Sequence, residues 1–330
     1  MGASHGAASA AWSLLVLIAL AALAAPWLAP NPPNRRFDNL LYAPPTPVHI
    51  FSDGLHAPFI NPWRLVSRLE RRFEADASTH LALRWFTAGT LVTADPDADA
   101  PLLFLGADGY GRDILSRLLY GAQATLAVSL LSALLTTILG ACVGGLAAYV
   151  GGWLDGVLSR VSEFVLVLPA IYVALVLRAV LPLVLPPSTV FALLIGIFTL
   201  LGWPIVARGV RAIVLVERER EYAIAAHAAG ASDGRILLRH LLPASAGFLQ
   251  TQASLLVPAF MLAEATLSYV GLGFPNTIPT WGTMLQDASN VALLGDAPWS
   301  LAPAAAIFVV VLGVNLLAQS HGRAPVQLEP

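Results

Sequence analysis

Lysine is absent from this 330-residue chain, and all 18 of its basic residues are arginine. A phosphate-binding loop of the Walker type needs a lysine behind its glycines. The chain therefore carries no such loop and should not hydrolyse nucleotide by itself. Cysteine is nearly absent: the single Cys142 lies in an apolar run and excludes an intramolecular disulfide. Charge is scarce. Asp, Glu, Lys and Arg make up 12% of the residues and apolar types 57%, where a soluble domain carries about 25% charged residues. That composition describes an integral membrane protein. None of the seven histidines falls inside a long apolar run, which speaks against haem or copper held within a bilayer. The net charge of −2 distinguishes no class of partner.

The apolar runs are long. Trp12–Ala29 comes first, close to the minimum that spans a bilayer. Its small residues at Ala22 and Ala24 also suit a cleavable signal peptide, but no Lys or Arg precedes it, which favours a retained helix. Five further runs follow: Gln123–Val150, Val157–Leu181, Val190–Ala207, Ala244–Val270 and Trp299–Leu317. Together they predict an all-α membrane protein of six transmembrane helices, one over 1–30 and five in a core over 122–320, with a tail over 321–330. Ser132, Thr136, Gly140, Gly144, Ala148 and Gly152 recur at intervals of four, a column of small side chains against which another helix can pack closely. In the third run Glu163 lies near one end, Pro169 in the middle, and Arg178 near the other end, where it can snorkel. Pro182, Pro186 and Pro187 mark the turn after it. Gly202-Trp203-Pro204 predicts a kink in the fourth run and Pro258 an interruption of the fifth. Glu264 sits deep in the fifth, where a carboxylate must face protein or water. Its readings are a structural hydrogen-bonding hub or a contact to substrate.

Residues 31–105 are of another material. Six prolines between Pro30 and Pro47 give an extended start. Pro62–Ala77 reads as an amphipathic helix with Leu65, Val66, Leu69 and Phe73 as its stripe and Arg64, Arg68, Arg71 and Arg72 around it. Leu81–Phe86 and Thr90–Thr93 read as short strands, and Asp95-Pro96-Asp97 as a turn. A linker is the alternative. The aromatic content (Phe51, Phe59, Trp63, Phe73, Trp85, Phe86) favours a small extracytoplasmic subdomain. Its exposed arginines either steer an acidic partner or only solubilise it.

The longest charged interruption between two long apolar runs falls within residues 208–243. Arg208, Arg211, Arg218, Arg220, Arg235 and Arg239 crowd it, against Glu217, Glu219, Glu221 and Asp233. An arginine-rich short loop between spans faces the cytoplasm. Glu219–Ala229 is alanine-rich and reads as a helix. Gly230 can supply the left-handed residue that ends it, and Ser232 or Asp233 can cap a second helix running to Pro243. Ile236, Leu237 and Leu241 share one face of that second helix. The product is a helix–turn–helix knob outside the membrane, or, more blandly, a solvated connector.

Four motifs carry a resemblance. Ala225-Ala226, Gly230 and Leu242-Pro243 resemble the cytoplasmic coupling loop of ABC-importer permeases, with Ile224 standing at that loop's glutamate position. The flanks Glu219-Arg220-Glu221-Tyr222 and Gly230-Ala231-Ser232-Asp233 look like the peptide/nickel branch of that family. Gly106-Ala107-Asp108-Gly109-Tyr110-Gly111-Arg112-Asp113, running on to Gly121, resembles the signature of the outer-face turn and amphipathic helix over 106–121. In it, Asp113 and Arg117 form an i,i+4 pair, and Gln123 stands where the branch often carries arginine. Leu262–Gly273 and Pro279–Leu285 are similar to two further segments of the same branch. The resemblance covers residues 106–320.

It implies a type-1 permease subunit with no catalytic residues and no cofactor of its own, ATP and Mg being bound by partners. Those partners would be a second homologous permease, two ATP-binding subunits and an extracytoplasmic substrate-binding protein, in the inner membrane of a prokaryote. Tyr222, Ala225, Ala226, Ala229, Gly230, Ala231, Ser232 and Asp233 are the candidates for coupling to the ATPase, with Glu264 as a candidate structural or path residue. Peptides, nickel chelates, glycosides and modified oligopeptides are all open as substrates. The rival readings are an intramembrane enzyme built on Glu264, with Glu163 or His240, and a channel. Nothing clusters as a nucleophile–base pair, and no repeated polar filter is present.

Overall fold

The protein is described by a computed structural model for residues 2–51, 55–68, 70–87, 89–94, 100–169, 172, 173, 175, 176, 185–290 and 295–321. The predicted turn at Asp95-Pro96-Asp97, Leu69 of the predicted stripe, Arg178, Pro182 and the tail beyond His321 lie outside the described residues. The chain divides into two compact units. One comprises Met1–Ala11, Ala127–Glu264 and Leu312–Pro330, the other Trp12–Leu126 and Ala265–Val311.

The second unit begins with most of helix α1 (Gly2–Leu23) and the short α2 (Ala25–Leu28). It then holds all seven described strands: β1 (Val48–Phe51), β2 (Leu55–Ile60), β3 (Trp63–Ser67), β4 (Arg72–Ala75), β5 (Leu81–Ala82), β6 (Arg84–Thr87) and β7 (Thr90–Thr93). They form an antiparallel sheet in the order β1-β2-β5 and two hairpins, β3-β4 and β6-β7. The chain is mostly helical, as expected, and the strands expected over Leu81–Phe86 and Thr90–Thr93 are present; the insert goes beyond the expectation in being built of strands from Val48 onward.

The helix predicted over Pro62–Ala77 is replaced by the β3-β4 hairpin. Burial along Trp63–Ser67 alternates with a period of two, as a pleated strand requires. Arg71 takes a φ of 49° and allows the chain to reverse. Leu65 then sits directly opposite Phe73. Those two residues are eight apart, a spacing that one helix face also satisfies, so the pattern fitted both periods. Tertiary packing decides between them. Trp63 and Phe73 rest on a core of Phe37, Leu40, Ala43, Leu103 and Ala107, while Ile60, Leu83, Val92, Ala94 and Leu102 form a second core.

Helix α3 (Ile114–Val150) has 37 residues, or about 55 Å at the α-helical rise, longer than a bilayer core is thick. It is followed by α4 (Gly152–Val167), α5 (Pro187–Glu217), α6 (Glu221–Ala228) and α7 (Asp233–Ile236). A π-helical turn (Leu237–Leu241), α8 (Leu242–Ala244), α9 (Ala246–Tyr269), α10 (Trp281–Asp287), a 3-10 turn (Pro298–Leu301) and α11 (Ala302–His321) complete the order. Among the described residues four helices are long and apolar enough to cross a membrane: Ile114–Val150, Pro187–Glu217, Ala246–Tyr269 and Pro298–Ala318. Ser9–Leu23 is a shorter apolar helix.

Prolines act differently in the different runs. Helix α4 stops at Val167, Leu168 turns to extended dihedrals, and the Tyr172 and Val173 N–H groups donate to the Pro169 carbonyl. A new turn therefore starts at Pro169. By contrast α5 passes through Pro204, and α9 passes through Pro258, where an interruption was expected. Membrane helices tolerate such prolines when neighbours satisfy the freed carbonyl.

In the first unit the column of small residues is a packing seam. Ser132, Thr136, Gly140, Gly144 and Ala148 are all buried. A Cβ on Gly140 would come within 2.5 Å of Val206 Cβ, and one on Gly144 would collide with the Ala207 carbonyl. Helix α5 thus lies backbone-close on α3, as small side chains permit. The column has five members rather than six. Gly151 and Gly152 both adopt positive φ, ending α3, and Gly152 is exposed. Val165, Trp203 and Ala207 form a core cluster beside the seam.

Candidate functional site

The charged loop folds as a knob built from helix ends. Arg220 is the extended N-cap residue of α6, whose first turn carries Glu221, favourable to the helix dipole. At the other end the Ala231 N–H donates to the Ala226 carbonyl at 3.1 Å and the Gly230 N–H to the His227 carbonyl at 3.0 Å. This pair of bonds is a Schellman motif. Gly230 supplies its left-handed residue at φ 80°. Ser232 is the N-cap of α7 without a side-chain bond, and Asp233 stands in the first turn.

The second arm departs from a plain helix in its π turn. Pro243 has no N–H for the Arg239 carbonyl, and the turn ahead of it widens to Leu237–Leu241. Ile236, Leu237 and Leu241 are buried on one side, as their spacing predicts. Leu237 and Leu242 approach Gly145 of α3, which ties the arm to the unit.

Of the eight candidate residues, Tyr222, Ala225, Ala229, Gly230, Ser232 and Asp233 are exposed and Ala226 and Ala231 half-buried. Only Ala223 of α6 is buried. Polar atoms fasten the edges. The Tyr222 hydroxyl donates to Glu217 Oε2 at 2.6 Å, and the Tyr149 hydroxyl of α3 donates to Asp233 Oδ1 at 2.7 Å. Partial burial, and next the bond to Glu217, push the Tyr222 hydroxyl up to about 12, so it stays a donor at neutral pH. Arg218 Nη1 donates to the Ala148 carbonyl at 2.7 Å. Arg211 grips Asp155 with two bonds of 2.6 and 2.7 Å and holds that carboxyl below its ordinary range. The knob is thus fixed to α3 and α4 at its base and presents small side chains outward. Ile224, at the position of the loop's glutamate, is exposed and makes no ion pair.

The motif over 106–121 builds a second constellation, in the other unit. Arg112 is 3% exposed, yet it is a cation with two carboxylates: Asp108 at 2.7 Å and Asp287 at 2.6 Å. Its Nη1 donates to Asn276 Oδ1 at 2.9 Å, and Asn276 in turn donates to Asp287. Arg117, fully buried, lies 3.7 Å from Asp108 and 3.8 Å from Asp287. Burial raises the Asp287 pKa, while Arg112 opposes the shift. The expected Asp113–Arg117 ion pair is therefore corrected. Asp113 instead accepts from Asn31 Nδ2, Ser116 Oγ and the Leu115 N–H. Burial raises it to about 6, against those bonds. Sequence reasoning missed Asn276 and Asp287. They are 164 and 175 residues from Arg112, and a lone Asp after Met284-Leu285-Gln286 carries no local signal.

Trp281 completes this constellation. Thr280 and Thr283 form a capping box at the start of α10. The Trp281 indole N–H donates to the Leu118 carbonyl at 3.1 Å, and its ring edge lies against Gly121, which has no side chain to exclude it. The motifs around Arg112 and Trp281, distant in sequence, are one piece of structure. Glu264, the remaining candidate, is fully buried in α9.

Residues 137–323 match the family described as the inner membrane component of binding-protein-dependent transport systems. A putative peptide permease of Brucella ovis is 36% identical over 215 residues, covering 65% of this chain and 69% of the relative. The dipeptide transport system permease of Alkalihalophilus pseudofirmus is 35% identical over 215 residues, covering 65% and 68%. The oligopeptide transport system permease of Bacillus subtilis is 32% identical over 233 residues, covering 70% and 73%. This is a family of transporter permeases, not of enzymes, and it disposes of the reading built on Glu264 catalysis. The chain belongs to the permease subunits of ABC importers, as a multi-pass membrane protein.

Proposed function

We propose that this permease carries peptides, and that residues Tyr222–Asp233 couple its membrane path to an ATP-binding partner. The names of its relatives support the substrate class. The observation that carries the coupling reading is the Gly230 turn. It sets the angle between α6 and α7 by backbone hydrogen bonds, and the surface around it is exposed and small. Such a knob transmits motion as a rigid lever, without chemistry. The working assembly is this subunit, a second permease, two ATP-binding subunits and a substrate-binding protein. Six spans cross the inner membrane of a prokaryote, the loop over 208–243 lying in the cytoplasm and the subdomain over 31–105 outside. The domain boundaries are those read from the sequence: 1–30, 31–105, 106–121, 122–320 and 321–330.

Two substitutions test the lever in the assembled transporter. Gly230→Val forces a β-branched residue to positive φ and should cost on the order of 1 kcal/mol or more at the turn. A Cβ there meets no atom within 4 Å, so the damage is to the angle and not to packing. Ala226→Trp fills the seat. Both variants should reach the membrane in normal amounts, yet lose peptide uptake or fail to retain the ATPase on purification. Wild-type uptake by a well-expressed variant of either kind refutes the lever.

A further inference from the structure

A cavity of about 300 Å³ opens within the first unit among α3, α4 and α5. Ser159, Ser162 and Glu163 of α4, Gly144 of α3, and Arg208 and Arg211 of α5 all face it. Its charges are not equivalent. Arg211 is held by Asp155 through two short bonds and is neutralised there. Glu163 and Arg208 both line the cavity, both are exposed and, among the described residues, they make no ion pair with each other or with a third group. Ser159 and Ser162 donate their hydroxyl protons to Asp155 Oδ1 and the Leu158 carbonyl, so their oxygens remain acceptors.

Ionisable side chains on membrane helices are costly, and where present they face a water-filled path or pair with one another. Here two opposite charges face one cavity instead of each other. A ligand that satisfies both must carry both signs. A simple anion would meet Glu163, and a simple cation would meet Arg208. The volume is at the lower end for small-molecule sites, which suits a solute of two or three residues and not a folded chain.

We propose that this cavity is a site for short zwitterionic peptides, with Glu163 facing the free ammonium group, Arg208 the free carboxylate, and the serine oxygens accepting from the peptide amide and ammonium. The assignment rests on the peptide-transport reading above, and locates one station of that path beside the root of the coupling loop. Its affinity must be low, since a solute held tightly there would not leave.

Protection of a single thiol tests it in the assembled transporter, reconstituted in sealed proteoliposomes free of ethanolamine lipids. In a Cys142→Ser background, Ser159→Cys reports occupancy through its rate of maleimide modification. Dialanine and trialanine at saturating concentration should slow modification by about threefold or more, as site occupancy demands. The same peptides N-acetylated and C-amidated should not. Glu163→Gln and Arg208→Gln should each abolish protection, and the charge exchange Glu163→Arg with Arg208→Glu should restore it. Equal protection by capped peptides overturns the assignment, as does no protection while the same preparation, with binding protein and ATP, still takes up dialanine. If slowing appears only on adding phosphatidylethanolamine, the cavity holds a lipid headgroup and the proposal fails. If the transporter moves no peptide at all, the functional reading fails first and this assignment with it.

Discussion

Arg112 and Arg72 both have acidic partners in the second unit, and the two pairs are not comparable. Arg72 and Glu74 meet at 3.0 Å with more than half of each side chain in water. Such pairs contribute at most about 1 kcal/mol. Arg112 is buried between Asp108 and Asp287, both buried too. Removing one member of a buried ion group leaves the others unpaired, at about 3–5 kcal/mol. Thermal unfolding of the purified subunit should show this directly. Arg112→Gln is expected to lower the midpoint sharply, and Arg72→Gln to change it little. Equal effects would mean that the Arg112 cluster is not what holds the motif over 106–121 together. The motif residues themselves, Asp108, Arg112 and Arg117, are legible in sequence. Their bonding is not, because Asp113 is drawn to Ser116 and Asn31 and leaves Arg117 to Asp108 and Asp287.

At the scale of elements, glycine placement separates seams from open faces. Gly144 lies where any Cβ would press on the backbone of α5, whereas Gly196 of α5 has nothing within 4 Å of the same point. Overpacking a tight interface costs about 1–3 kcal/mol. Gly144→Ala should therefore destabilise the subunit, and Gly196→Ala should leave its unfolding midpoint unchanged or raised. A neutral Gly144→Ala would show that α3 and α5 part without penalty. The recurrence of small residues predicted this seam because it is a local property of one helix. The insert is the opposite case. The stripe Leu65, Val66 and Phe73 fits a helix face, but burial of Trp63 and Phe73 on Phe37 and Leu40 rewards the hairpin. No local count of residues contains that core. Pro258 shows the same limit from another side, since neighbouring helices decide whether a proline breaks α9 or rides within it.

At the scale of the whole molecule, the proposed six-span topology puts residues 31–105 and the 208–243 loop on opposite sides of the membrane, beyond the four spans found among the described residues. Single cysteines at Ser67 and Ser232 in a Cys142→Ser background give its test. An impermeant thiol reagent added to intact cells should reach position 67 at once, and position 232 only after the membrane is opened. Labelling of both from outside would remove the cytoplasmic assignment of the loop, and with it the ATPase contact. The four exposed arginines of the β3-β4 hairpin are arranged unevenly. Arg71 lies over Tyr42, Arg72 pairs with Glu74, and Arg64 and Arg68 border a cleft with Asp76.

What the sequence by itself determined is whatever short-range chemistry specifies: long apolar runs, a Gly230 that ends a helix, small residues four apart, and motifs that carry a family's signature. Each depends on neighbours within about one or two helical turns, where hydrogen bonding and side-chain size act without help. Only the tertiary structure decided the β3-β4 hairpin of the insert and the partners of Arg112. These depend on which distant groups become buried together. Burial selects between local conformations of similar energy, and it makes an unpaired charge expensive enough to find its partner more than a hundred residues away.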